Sequence, residues 1–264
     1  MHCRTTTAPG FACYVSNFGA FDASPEAALT ALQSQTSAPF ATVAMAFTPP
    51  VTSPNAVTFF VYNATGALQT SAKLDTVGDD TAVPHVCINC HGSGASYDTT
   101  RHAAIGARVL AFDPASFAYG TAPGLTLADE QPTFAALNQI VRAATPDDAT
   151  ARLVDGLFPS GSYDPSYVPA GWSATDSNRA DYTNVVAPYC RNCHVTHGPG
   201  TTDPLTFETA SDFKASKDAI LRRVCGAGPL GMPPAMATTD RLFASGASVL
   251  LLTYLNAPGA CAMP

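Results

Sequence analysis

Two short stretches of this chain carry residue types able to do chemistry: VCINCHG at 86–92 and YCRNCHV at 189–195. Each holds two cysteines separated by two residues, with a histidine directly after the second. On a helix, positions i and i+3 share one face. Both thiols of a pair can therefore reach one edge of a flat ligand, while the next imidazole comes under its face. Cys-x-x-Cys-His is the attachment signature of a c-type haem. The pattern predicts two covalently attached haem c groups. Cys87 and Cys90 would form thioethers with His91 as proximal iron ligand, and Cys190 and Cys193 would do the same with His194. A dithiol redox motif is less consistent, because neither copy follows a buried parallel strand in a βαβ pattern. Zinc on Cys87, Cys90, Cys190 and Cys193 has the right ligand count, but it leaves each histidine unexplained.

The sixth position of each iron decides between electron transfer and chemistry. After the second motif, Met232 lies in GPLGMPPAM. Gly231 and Pro233 flank it in a loop unsuited to regular helix or strand, stiff enough to present a thioether sulfur with little ordering cost. Met236 is the rival ligand. After the first motif no methionine occurs before Met232, and His102, beyond a Gly-Ser-Gly stretch, is the candidate. His85 sits too near the proximal side. Met45, His197, His2, Met1, a ligand from another subunit and an open position are the further options.

Residues 178–257, with YCRNCH on a helix, the GMPP loop and a closing LLLTYL helix, resemble a class I cytochrome c domain. The resemblance covers about the last third of the chain. It implies that the loop methionine is the distal ligand and that the first and last helices cross. Only Cys190, Cys193, His194 and Met232 are carried over from it. CINCHG together with GARVLAFDPASFAYG is similar to segments of uncharacterised multidomain periplasmic cytochromes, which implies no particular activity.

The elements that must position these residues are partly readable. Ser24, Pro25 and Glu26 open a short helix over 24–35. FATVAMAF and VTFFVYNATGALQTSAKL, within 40–74, predict two to four strands with a turn at 63–66. Helices follow at about 129–144 and 146–157, the second opened by Thr145, Pro146, Asp147 and Asp148. The stretch 158–176, rich in Gly, Pro, Ser and Tyr, is read as an interdomain connection, and Thr239 or Asp240 as the cap of a final helix at about 240–256. The expected fold is mainly α, with a small β-containing N-terminal part and a C-terminal cytochrome c-like helical domain. Its two domains are an N-terminal haem domain over 1–160, containing the first motif, and the cytochrome c-like domain over 161–264, containing the second.

Composition limits the partners. Hydrophobic residues make up 46% of the 264 residues and charged residues 12%, which argues for a packed core and against disorder. The net charge is −7, and no run of Lys or Arg invites nucleic acid. ASVLLLTYL (247–255) is too short for a transmembrane segment. The N-terminal residues lack the apolar region of a signal peptide, and the chain is read as a mature or trimmed form. Four of the eight cysteines lie outside the motifs. Their most local pairing is Cys3 with Cys13 and Cys225 with Cys261, which would indicate an oxidising, periplasmic or extracellular compartment.

The expected function is electron transfer by a dihaem c-type cytochrome. It would act as a carrier or as a subunit of a periplasmic or extracellular chain, with other redox proteins, further cytochrome subunits among them, as partners. The alternatives are a dihaem peroxidase-type enzyme with an open first haem and a structural subunit of a haem-stacking assembly. No catalytic group is assigned, although Arg101 and Arg108 lie near the first motif. Trp172, Tyr163, Tyr167 and Tyr189 are read as packing residues. Asp75, Asp79 and Asp80 are read as an acidic surface turn, and Asn63-Ala64-Thr65 as a formal glycosylation match only.

Overall fold

The computed structural model describes residues 1–5, 10–19, 24–34, 38–48, 56–73, 80–92, 94–145, 149–197, 205, 207–226 and 236–261. The N-terminal part contains β1 (His2–Thr5), β2 (Phe11–Asn17), α1 (Pro25–Ser34), β3 (Ala41–Thr48), β4 (Ala56–Asn63) and the short strands β5 (Leu68–Gln69), β6 (Ser71–Ala72) and β7 (Thr81–Ala82). The first motif forms α2 (His85–His91), followed by β8 (Ser96–Asp98) and β9 (Ala103–Ile105). An antiparallel sheet runs in the order β1-β2-β3-β4-β9-β8, with β5 also on β4, while β6 and β7 pair apart from it.

This sheet is larger than the small one expected. It extends to β1 and β2 before residue 40 and to β8 and β9 after the first motif. The late strands have three residues each, too few to show a period of two. Asn63, in the formal glycosylation match, closes the turn after β4: its Oδ1 accepts from the Thr65 and Ala67 amides.

Alternation along β2, β3 and β4 puts Phe11, Cys13, Phe47, Val57 and Phe59 on one buried face. That face packs with Val86 and Cys87 of α2 and with Val109, Phe134, Val141, Val154 and Leu157. The last four come from α3 (Leu127–Ala144) and α4 (Ala149–Leu157). Thr126 and Asp129 form a capping box at the start of α3, satisfying amides that a helix end leaves unpaired. Residues 146–148, expected to open α4, lie outside the described residues.

The chain then runs through a 3-10 turn at Ala170–Trp172 into a nearly continuous helix: α5 (Asp176–Asp181), a π-helical turn (Tyr182–Val186), α6 (Ala187–Tyr189) and α7 (Arg191–His194). Pro188 accounts for the π turn. It has no N–H to offer residue 184, and the neighbouring Ala187 amide bonds instead to the Tyr182 carbonyl. Next come α8 (Ala210–Ala215), α9 (Lys217–Val224), α10 (Met236–Ala244) and α11 (Ala247–Tyr254).

A second cluster gathers Trp172, Tyr182, Val185, Val186, Phe213, Leu242, Leu251 and Tyr254. The single final helix expected at 240–256 is two helices. Gly246, in the left-handed region at φ 78°, separates them, a conformation glycine adopts without steric cost. Thr239 and Asp240 consequently lie inside α10 rather than at a cap. Disulfides join Cys3 to Cys13 and Cys225 to Cys261. Among the described residues, no helix is long and apolar enough to cross a membrane.

Candidate functional site

Cys87, Cys90 and His91 lie on one helical turn, because the Ile88 and Gly92 amides bond to the Pro84 and Ile88 carbonyls. The His91 ring is fixed from behind by a backbone group: Nδ1 is 3.0 Å from the Arg108 carbonyl oxygen. A carbonyl only accepts, so Nδ1 carries the proton and Nε2 keeps its lone pair. The Arg108 amide in turn donates to the His91 carbonyl, making a reciprocal pair. Asn138 of α3 holds the Phe112 backbone through both amide atoms, and Thr150 of α4 donates to the Val109 carbonyl. The segment carrying Arg108 is thus anchored from two helices.

Gly92 is needed for a close approach. A Cβ there would lie 2.9 Å from the Ala95 Cβ and 3.0 Å from the Ala107 Cα. Burial lowers the His91 pKa, with the Arg108 bond opposing it, so the ring is held neutral, the form that ligates a metal. Burial also pushes the Cys87 thiol up to about 12, helped by Cys90.

In front of this motif lies a mostly apolar cleft of about 370 Å³, bounded by Cys87, Cys90 and His91 of the motif and by Met45 and Phe59 of the sheet. Its size falls within the roughly 300–1,000 Å³ common for small-molecule and cofactor sites. Asn192 and Cys193 of the second motif reach the same cleft. Among the described residues, the Asn192 Oδ1 is buried with no hydrogen-bond partner, an unmet polar group that a bound molecule could satisfy.

The second motif repeats the backing of its histidine. His194 Nδ1 is 2.8 Å from the Leu205 carbonyl oxygen, again leaving Nε2 as the lone-pair nitrogen. Phe207 stacks on the His194 ring at 4.1 Å, and the Trp172 indole N–H donates to the Phe207 carbonyl. Trp172 therefore packs in the core and also steadies the ring that backs His194. Burial pushes the Cys190 thiol up to about 12. A cleft of about 380 Å³ beside His194 is bounded by Arg152, Tyr167, Tyr182 and Arg191. Cys190 and Cys193 are not among its walls, so it does not mark the edge of a ligand held by those thiols. Met232 lies outside the described residues, and Met236 opens α10.

The two motifs touch. Thr196, just past the second, places its hydroxyl 2.8 Å from the Cys90 carbonyl and 2.9 Å from the Cys193 carbonyl. A hydrogen bond with Cys90 lowers the Cys193 pKa against the effect of burial. Arg191, an unassigned residue inside the second motif, is buried and forms a forked ion pair with Asp113, its Nη2 2.8 Å from Oδ1. Burial disfavours this charge, but Asp113 and Tyr182 raise the Arg191 pKa overall.

The other named residues lie elsewhere. His102 is exposed, at φ 50°, with Nδ1 3.5 Å from the Tyr97 hydroxyl, and it is not a wall of the first cleft. His85 is exposed at the start of α2, His2 stacks on Tyr14, and the His197 ring lies 5.2 Å from that of His194. Arg101 pairs with Asp98. Asp75 and Asp79 lie outside the described residues.

Among the described residues, no three or more His, Cys, Asp and Glu side chains converge as a metal ion requires, so the four thiols do not form a tetrahedral set. A haem iron needs only one or two protein ligands. No family model, curated protein or solved structure matches the chain at a significant level.

Proposed function

We propose that this chain is a dihaem c-type cytochrome that transfers electrons in a periplasmic or extracellular chain. The observation that carries this reading is the matched backing of the two motif histidines: each ring gives Nδ1–H to a backbone carbonyl. That arrangement fixes the tautomer, orients Nε2 and raises its basicity, as it does for histidines that ligate metals. Cys87 and Cys90 would hold one haem with His91 as proximal ligand. Cys190 and Cys193 would hold the other with His194, and Met232 would be its distal ligand.

Haem, when bound, supplies a one-electron iron couple. The chain's own contribution is to place both attachment points in one region of the fold, through the contacts of Thr196 and of Cys90 with Cys193. That placement favours passage of electrons within the chain. Packing of the α5–α6 helix against α11, including the Tyr254 hydroxyl bond to Asn178, supports a cytochrome c-like C-terminal domain, whose first and last helices cross. The two disulfides favour an exported protein. Net charge of −7 favours a positively charged redox partner.

The test is the intact mass, under denaturing conditions, of protein made in a host that matures c-type cytochromes. The expected mass is the polypeptide plus two haems. Replacing Cys87 and Cys90 together with alanine, or Cys190 and Cys193 together, should each remove one. A bare polypeptide mass, with zinc retained in native spectra, would overturn the proposal.

A further inference from the structure

We propose that Met45, on strand β3, is the distal ligand of the first haem, so that the sheet is the wall facing His91. This assignment rests on the dihaem reading above. It starts from the cleft in front of α2, which Cys87, Cys90 and His91 bound on the helix side. A ligand held by those thiols with His91 under one face needs its second iron ligand from the opposite side. Strands β2, β3 and β4 of the sheet bound that same cleft.

Register places the sulfur there. Met45 pairs with Cys13 on β2 and with Phe59 on β4, and all three bound the cleft. Phe59 is the neighbour that reaches the motif: its ring centroid is 5.1 Å from that of His91. Directly opposed Cα atoms in an antiparallel pair are about 4.5–5.5 Å apart. Met45 therefore stands one strand beyond a side chain already in contact with the imidazole, on the same sheet face. Phe47 and Phe59 on that face are buried, whereas Met45 is only half-buried and bounds the cleft. Its thioether is unbranched and polarisable, and methionine paired with histidine is an established axial set for c-type iron.

The rivals are placed less well. His102 is exposed and outside the cleft wall. Met1 does bound the cleft but is 49% exposed beside an edge strand. Met45 lies mid-strand, paired on both sides.

Proton NMR of the reduced protein tests the assignment, since an iron-bound methionine methyl is moved far upfield by the porphyrin ring current. Met45→Leu keeps the volume and apolar character of the side chain. It should remove one upfield methyl resonance and convert the first iron of the oxidised protein to a high-spin, cyanide-binding form. Met45→His should restore a low-spin signal. An upfield methyl pattern and low-spin spectrum unchanged in Met45→Leu would overturn the assignment. Covalent haem content measured on the same samples separates the two claims. Two attached haems with an unaffected spectrum would sink Met45 alone, and absence of attached haem would sink both.

Discussion

At the scale of single residues, the histidines of the two motifs depend on carbonyl groups that belong to other parts of the chain. Arg108 backs His91 and Leu205 backs His194. Gly92 keeps the first of these contacts possible, because a side chain there would press on Ala107, next to Arg108. Gly92→Ala should therefore cost about 1–3 kcal/mol, the usual range for overpacking, and lower the haem-to-protein ratio at the first motif. Thermal unfolding and haem content of the purified variant check this, and a variant with native stability and full haem loading would contradict it. The motif cysteines and histidines were legible in the sequence because side-chain type and spacing identify them. Their carbonyl partners were not, since a backbone acceptor has no residue-type signature. Met45 was visible only as one methionine among several until strand register put it beside Phe59.

At the scale of elements, the ion pair between Asp113 and Arg191 joins the loop before the 3-10 turn at Pro114–Ser116 to α7. Both side chains are buried, so removing one leaves the other charge without its partner. Asp113→Ala should destabilise the protein by about 3–5 kcal/mol. Replacing both residues with apolar ones of similar volume should cost less than either single change. Urea unfolding of the three variants measures this, and equal stability of Asp113→Ala and the parent would contradict the role given to the pair. Nothing in the sequence linked these residues, which lie far apart in the chain. The helices α1 and α3 and the strands β3 and β4 were readable, because caps and apolar periodicity are local signals. The break between α10 and α11 was missed, because the apolar residues run on past Ser245 and Gly246 and hide the left-handed turn. The strands β8 and β9 are held by pairing to β4, a long-range effect that short segments do not announce.

At the scale of the whole molecule, the two hydrophobic clusters are bridged where the motifs meet, through Thr196, Cys90 and Cys193. The two motifs therefore share one region of the fold. The chain's net charge of −7 predicts that electron exchange with a cationic cytochrome slows as ionic strength rises, since screening shortens the reach of surface charge. Stopped-flow rates across a salt series check this, and rates independent of salt would remove the steering argument. The local disulfide pairings were readable because few alternatives exist for four cysteines, whereas the contact between the motifs became apparent only in the folded chain. The most direct test of the central claim is low-temperature EPR of the fully oxidised protein before and after cyanide. Two low-spin haem signals unchanged by cyanide are the predicted result, each iron then having two protein ligands. A high-spin signal that converts on adding cyanide, or no haem signal at all, would contradict the account.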